Sequence, residues 1–159
     1  MSSIPTLDGI TSQMVQTDRL TMHVLSSGPA DGTAVLFVHG NVSSATFWEE
    51  TMLALPAGFR GIAPDLRGYG RTEPKPIDAT LGLGDMVADL HALAQALGLG
   101  RYHIVGHSMG GGIVMKYAIA HAAELRSITL VDTMSPYGYG GSKGTDGAMT
   151  YDDGAPSGI

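Results

Sequence analysis

The sequence has no cysteine and no long apolar run. The lack of cysteine excludes disulfide bonds, thiolate metal ligands and a cysteine nucleophile. The longest apolar run, Ala34–Val38, is far shorter than the ~20 residues that a membrane-spanning helix needs. Met1–Ile10 has neither a cationic segment nor an apolar stretch, so we expect no secretory signal peptide, no membrane partner and a cytoplasmic location.

Charged residues are also few, and the net charge is negative, whereas proteins that bind nucleic acids are usually basic. Charged residues make up 15% of the chain, the formal net charge is −6, and no basic run is present. We therefore expect no nucleic-acid partner. Hydrophobic residues make up 43% of the 159 residues, which is typical of a globular domain large enough to enclose a core.

Hydrophobic periodicity predicts strands that alternate with helices. Gln13–Leu25 alternates apolar and polar residues, which indicates two edge-type strands joined by a turn. Ala34–Val38 has no polar face, as in a strand that is buried on both sides. Further strands are predicted at Phe59–Ala63, Tyr102–Val105 and Ile128–Val131, and helices at Ser43–Leu55, Leu83–Leu97 and Met109–His121. This order predicts the α/β class, with a mostly parallel central sheet and helices on both faces.

The C-terminal part of the sequence has a different composition. Residues 136–159 are rich in glycine, aspartate, serine and threonine and show no periodicity. This composition predicts a flexible loop or the start of a lid. We therefore divide the chain into a core part, residues 1–135, and a possible lid segment, residues 136–159.

The motif Gly-x-Ser-x-Gly occurs twice, around Ser108 and around Ser142. A nucleophile elbow needs a strand before the serine, a helix after it and small residues on both sides, because the turn is sharp. Ser108 has a predicted strand, Gly106, Gly110 and a predicted helix in the required places, whereas Ser142 has neither flanking element. Ser108 is therefore the predicted nucleophile, and Ser142 a loop residue. A simple helix cap at Ser108 would not explain the two glycines.

An oxyanion formed at Ser108 would need two hydrogen-bond donors. The backbone N–H of Met109, next to the serine, is one candidate. The second comes from a loop after an earlier strand, and Asn41 follows the apolar strand Ala34–Val38 in that order. The alternative is that Gly40 only makes a turn there.

Together these segments resemble the α/β-hydrolase superfamily over about residues 13–136. The resemblance implies that the chain holds the first six strands of that fold. It is carried by four segments in the order and spacing of the family: His39-Gly40-Asn41, Asp65-Leu66-Arg67-Gly68-Tyr69-Gly70-Arg71-Thr72, Gly106-His107-Ser108-Met109-Gly110-Gly111 and Leu130-Val131-Asp132.

The elbow sequence narrows the resemblance. It is similar to that of bacterial esterases, lactonases and non-haem haloperoxidase-like enzymes. Serine at position 108 argues against a haloalkane dehalogenase or an epoxide hydrolase, since both use a carboxylate nucleophile. The resemblance implies that Asp65–Thr72 is a structural loop, because its turn and its ion-pairable residues suffice to explain it.

A serine nucleophile needs a base and an acid that orients the base. The six histidines offer no good candidate in their sequence context: His23, His39, His91, His103, His107 and His121. The resemblance implies a base histidine beyond Ile159. It allows the acid at Asp132, after the sixth strand, or on a later segment; a loop-capping role is the alternative for Asp132.

These features predict a serine hydrolase that cleaves a carboxylic ester or lactone through an acyl-enzyme on Ser108, with no metal and no organic cofactor. Related reactions remain open: perhydrolysis, C–C bond hydrolysis and aminopeptidase activity. A non-catalytic small-molecule binder or an inactive fragment also remains open. Ile128–Val131 would be an exposed apolar sheet edge, so we expect a complementary C-terminal polypeptide or a second chain.

Overall fold

The computed structural model describes residues 5–134 and two short strands further along the chain. The main strands are β1 (Thr11–Gln16), β2 (Thr21–Ser27), β3 (Thr33–Val38), β4 (Phe59–Pro64), β5 (Tyr102–His107) and β6 (Leu125–Val131). The helices are α1 (Glu49–Leu53), α2 (Gly84–Ala96) and α3 (Met109–His121). Single 3-10 turns lie at Ala45–Trp48, Ala79–Leu81 and Ala122–Glu124. This alternation confirms the predicted α/β class.

The main strands form one sheet in the order β1-β2-β4-β3-β5-β6. β2 is antiparallel to β1 and β4, whereas β3 is parallel to β4 and β5, and β5 is parallel to β6. Neighbouring parallel strands end at the same edge of a sheet, and ligands bind there in α/β folds. Since β3 and β5 are neighbours, the loop that begins at His39 and the turn at Ser108 lie side by side at that edge.

Apolar side chains cover both faces of the sheet. On one face, α2 and α3 pack Leu90, Leu93, Ile113 and Val114 against the strands. On the other face, the segment from Ala45 through α1 packs residues such as Trp48 against the sheet. Each large apolar side chain that becomes buried contributes about 1.5–3 kcal/mol relative to exposure. Cover on both faces explains why Ala34–Val38 is apolar throughout.

Three local predictions differ from the structure. The predicted helix Ser43–Leu55 is a 3-10 turn followed by the short α1, and Ser44 makes no side-chain cap bond. β2 is not an edge strand: it lies between β1 and β4 and is almost wholly buried. β6 begins three residues earlier than predicted, at Leu125. Tertiary packing decides all three, because strand position and helix length depend on the neighbouring elements.

The loop interpretation of Ser142 was wrong for its backbone. Ser142–Lys143 forms a two-residue strand, β7, which pairs antiparallel with β8, Ala148–Met149. The rest of the proposed lid segment, residues 136–159, lies outside the described residues. None of the helices in the described part of the chain combines the length and the hydropathy that a membrane span requires.

Candidate active site at the turn between β5 and α3

Ser108 lies at the turn between β5 and α3 with an unusual backbone. Its φ is 52° and its ψ is −119°, in a region that residues other than glycine rarely adopt. Its N–H donates to the carbonyl of Val131 over 3.1 Å, and its carbonyl accepts from the N–H of Met134 over 3.3 Å. These bonds from the end of β6 help to hold the strained turn, and such strain is concentrated at functional sites.

The flanking glycines are required by close backbone contacts. A Cβ on Gly106 would lie 2.4 Å from the carbonyl oxygen of Gly110, and a Cβ on Gly110 would lie 2.3 Å from the carbonyl oxygen of Val38. Both distances are far below a carbon–oxygen contact. A larger residue at either position would therefore displace the turn, which gives a steric reason for the Gly-x-Ser-x-Gly pattern.

The loop after β3 comes close to the turn. A Cβ on Gly40 would lie 3.1 Å from the Cβ of Ser108. Asn41 follows Gly40, and its side-chain oxygen accepts from the N–H of Val42 over 3.0 Å. Met109 is the first residue of α3, so its N–H has no acceptor within the helix. The structure thus brings the loop that carries Asn41 close to the turn that Met109 follows, where the sequence predicts the oxyanion donors.

Tyr69 contacts both of these residues. Its hydroxyl donates to the side-chain oxygen of Asn41 over 2.6 Å and lies 3.8 Å from the sulfur of Met109. The ring also packs edge-on against His39, with 5.2 Å between the ring centroids. The sequence pattern does not predict this contact, because Tyr69 lies in a segment that was interpreted only as a structural loop. The hydroxyl fixes the loop that carries Asn41 relative to the start of α3.

A buried ion pair supports the segment that carries Tyr69. Arg67 donates from Nε and Nη2 to the two oxygens of Asp89 over 2.7 Å and 2.8 Å. Arg19 donates to Asp89 as well, over 2.6 Å. The hydrogen bond to Asp89 raises the pKa of Arg67 above its usual value. The pairing agrees with a structural role for the loop, because a buried carboxylate needs such compensation.

Asp132, the possible triad acid, directly follows β6. Its φ is 43°, and its side chain is exposed. β5 and β6 are in continuous register from His103 to His107, with His107 opposite Val131. The structure therefore brings the backbone of Asp132 to the same sheet edge as Ser108. Within the described residues, the side chain of Asp132 makes no hydrogen bond to Ser108 or to a histidine.

The histidines of the described part have other contacts. His39 is fully buried, its Nδ1 donates to the carbonyl of Gly40 over 2.8 Å, and its Nε2 accepts from the N–H of Leu66 over 3.0 Å. Burial lowers its pKa, which favours this neutral form. His107 stacks on Phe47 at 4.8 Å between centroids. The remaining histidines contact residues other than Ser108: His23, His91, His103 and His121. No histidine of residues 5–134 is therefore hydrogen-bonded to Ser108.

One group in the described part offers metal-ligand atoms within 4.8 Å of one another: His91, His121 and Glu124. Its members come from α2, α3 and the following turn, so no sequence motif signals it. The two imidazole rings stack almost parallel, at 4.0 Å and 11°. Their in-plane lone pairs therefore run side by side and do not converge on one ion. As arranged, the group is a hydrogen-bonded cluster, with His91 Nε2 3.0 Å from Glu124 Oε1.

Comparison with known proteins identifies the family to which this geometry belongs. Residues 33–145 match the family model described as alpha/beta hydrolase fold. The chain belongs to the α/β-hydrolase family. The matched range includes both loops of the candidate site and the whole of β3 through β6.

Individual relatives agree with the family assignment. The chain is 39% identical over 117 residues to RutD of Variovorax paradoxus (strain S110), named "putative carbamate hydrolase", covering 73% of this chain and 44% of that protein. It is 41% identical over 112 residues to a non-heme chloroperoxidase of Streptomyces lividans, covering 69% and 40%. The crystal structure of epoxide hydrolase VrEH1 from Vigna radiata matches with a TM-score of 0.74 at 28% identity, covering 83% and 41%. The chain thus spans less than half the length of these relatives.

Proposed function

We propose that this chain supplies the nucleophile and the oxyanion donors of a serine hydrolase that cleaves carboxylic esters or lactones. The observation that carries the proposal is the left-handed backbone of Ser108 between a parallel strand and a helix. The helix N-terminus beside the serine favours negative charge, so it suits an anion that develops there.

The reaction would proceed through an acyl-enzyme. Ser108 Oγ attacks the carbonyl carbon while its proton passes to a base, and the carbonyl oxygen becomes negatively charged. The backbone N–H groups of Met109 and Asn41 donate to this oxygen. The base then gives the proton to the leaving alkoxide, and water repeats the sequence to release the acid. Tyr69 keeps the two donors at a fixed separation through its bond to the Asn41 side chain.

The base in this proposal is a histidine on a complementary polypeptide, either a C-terminal continuation of this chain or a second chain. Two observations support it. The histidines of residues 5–134 have other contacts, and β6 is the edge of the described sheet with exposed apolar side chains at Ile128 and Leu130. A partner strand against β6 would cover these side chains and satisfy the free backbone edge. Asp132 is the proposed acid if the partner places its histidine beside β6.

Serine at the elbow favours acyl transfer over epoxide opening, although the epoxide hydrolase of Vigna radiata shares the fold. An epoxide has no carbonyl carbon, so attack by the serine could not form an acyl-enzyme. A carbamate, as in the name of the Variovorax relative, offers a carbonyl carbon to the same serine. Perhydrolysis is the second candidate, because a relative that is 41% identical is a non-heme chloroperoxidase and the acyl-enzyme could also be attacked by peroxide.

The test is covalent labelling of the purified protein, with any polypeptide that copurifies, by a fluorophosphonate. We expect an adduct on Ser108, located by peptide mass spectrometry, and loss of both this Ser108 adduct and catalytic ester hydrolysis in Ser108→Ala. Ser142→Ala is the matched control, since Ser142 lies in the other Gly-x-Ser-x-Gly motif. It should keep both properties. Ester hydrolysis that persists unchanged in Ser108→Ala would show that the proposal is wrong.

A further inference from the structure

A second chain of nucleophile, histidine and carboxylate lies far from Ser108. Ser12 Oγ is 2.8 Å from His23 Nε2, and His23 Nδ1 is 2.7 Å from Asp65 Oδ2. The three side chains come from β1, from β2 and from the residue after β4. In serine hydrolases the nucleophile contacts Nε2 and the acid contacts Nδ1, and the same two nitrogens are used here.

The hydrogen bonds around Asp65 indicate which ring nitrogen of His23 carries the proton. Asp65 Oδ1 accepts from the N–H of Ala45 over 2.8 Å, and Oδ2 accepts from the N–H of Arg71 over 2.9 Å. A carboxylate that accepts from backbone donors also accepts from His23 Nδ1, so the proton lies on Nδ1. In the neutral ring Nε2 is then an acceptor. The hydroxyl of Ser12 therefore donates to Nε2, which is the arrangement that activates a serine.

The histidine and the acid are held rigidly, while the serine is accessible. The side chains of His23 and Asp65 are each 1% exposed. Their backbones are also joined, since the N–H of Asp65 donates to the carbonyl of His23 over 2.9 Å. Ser12 lies on β1, at the edge of the sheet, and is exposed.

This group is independent of the proposed active site. Three strands, β2, β4 and β3, separate β1 from β5, which precedes Ser108. With about 4.8 Å between neighbouring strands, β1 and β5 are about 19 Å apart. The two serines therefore cannot share one substrate carbonyl. Asp65 also belongs to the segment Asp65–Thr72, which the family resemblance implies is structural, so its contact with His23 adds to that structural role.

We propose that Ser12 is a second nucleophile, which accepts an acyl group from an activated ester. Ser12 Oγ forms a bond to the carbonyl carbon, and the bond from that carbon to the leaving oxygen breaks. The hydroxyl proton moves to His23 Nε2 and then to the leaving oxygen. The product is an ester on Ser12 and the free alcohol or phenol, so atoms and charge balance. Asp65 does not react, and it keeps the ring of His23 oriented.

The absence of cysteine allows a direct test, because Ser12→Cys introduces a unique thiol. A cysteine next to a base that is paired with a carboxylate forms its thiolate at lower pH. Ser127→Cys is the matched control. Ser127 Oγ also contacts a histidine, at 2.7 Å from His103 Nδ1, and it is exposed, but no carboxylate of the described residues bonds to that ring. We expect iodoacetamide to alkylate Ser12→Cys at least tenfold faster than Ser127→Cys at pH 6.

A second measurement uses a variant without Ser108, so that acylation of Ser108 cannot contribute. In the Ser108→Ala variant, p-nitrophenyl acetate should release one equivalent of p-nitrophenol and leave one acetyl group on Ser12, located by tandem mass spectrometry. The double variant with Ser12→Ala should lose this acetylation, while Ser127→Ala should keep it. Equal alkylation rates of the two cysteine variants, or an unmodified Ser12 in Ser108→Ala, would overturn the proposal. Neither result bears on Ser108 itself, so failure here and failure of the proposed hydrolase are distinguishable.

Discussion

Asp89→Asn tests whether the buried ion pair supports the candidate site. Asp89 is fully buried and accepts from Arg67 through both oxygens and from Arg19 through one. Asparagine has nearly the same shape, but it replaces one acceptor oxygen by an NH₂ donor and removes the negative charge. At least one arginine donor would then face another donor, and the guanidinium of Arg67 would lose its only carboxylate contact among the described residues.

The magnitude follows from burial. Removing one partner of a buried ion pair costs about 3–5 kcal/mol, because the remaining charge is left uncompensated. The side chain of Arg67 is 8% exposed, so water can reach it slightly and we take the lower figure, about 3 kcal/mol. With a urea slope of about 2 kcal/mol per M, the unfolding midpoint should fall by about 1.5 M.

The measurement is equilibrium unfolding in urea, followed by the fluorescence of the single tryptophan, which is buried at position 48. Asp85→Asn is the control on the same helix, since Asp85 bonds to Arg19 over 2.9 Å but its side chain is more exposed. It should cost about 1 kcal/mol or less. Equal midpoints for the two variants would refute the reasoning that burial of Asp89 sets its contribution.

Three further predictions concern the turn, the loop contact and pH. Gly110→Ala should destabilise the fold by about 1–3 kcal/mol in the same urea assay, and should reduce fluorophosphonate labelling, because the new methyl meets backbone. Tyr69→Phe loses the bond to Asn41 and should lower kcat up to about tenfold with little change in KM, in steady-state ester hydrolysis. Burial and the neighbouring His91 lower the pKa of His121 from 6.5, so the folded state takes up this proton less readily than the unfolded state. The thermal midpoint of the unchanged protein should therefore fall as pH drops below 6.5, and the midpoint of His121→Gln should fall less. Identical profiles of midpoint against pH for the two proteins would contradict this.

The cluster around His121 has a second pH effect, which acts at lower pH. Burial alone raises the pKa of Glu124, but hydrogen bonds from Tyr102, His91 and Tyr117 outweigh it and lower the pKa below 4.5. The stabilisation from this carboxylate is therefore complete above 4.5 and is lost as pH falls through its lowered pKa. Glu124→Gln should remove that loss in thermal unfolding measured from pH 5 to pH 3, which about spans the window. A profile identical to that of the unchanged protein would count against the hydrogen bonds.

The local features of the proposed site were readable from the sequence, because each depends on residues close together in the chain. A strand, two glycines and a helix around Ser108 are sufficient to predict a sharp turn there, and the structure has that turn. The apolar run at Ala34–Val38 likewise predicts a strand covered on both faces. The catalytic roles of Ser108, Asn41 and Met109 stay predictions.

Contacts between distant segments were not readable. The bond from Tyr69 to Asn41 spans 28 positions, and the contact from His23 to Asp65 spans 42. Neither separation follows from the periodicity of one helix or one strand, so hydrophobic periodicity cannot predict these contacts. The buried position of β2 was missed for the same reason: a strand becomes central only when another strand, here β4, pairs with its second edge.

The sequence by itself determined the α/β class, the order of strands and helices, and the serine at the turn, because these follow from hydrophobic periodicity and from the small size of glycine. The tertiary structure decided which side chains meet. Pairing of β2 with β1 and β4 places His23 between Ser12 and Asp65, and pairing of β3 with β5 places Gly40 against Ser108. Strand pairing is set by the whole core, since each strand gains its hydrogen bonds and its burial only from neighbours that lie far away in the chain.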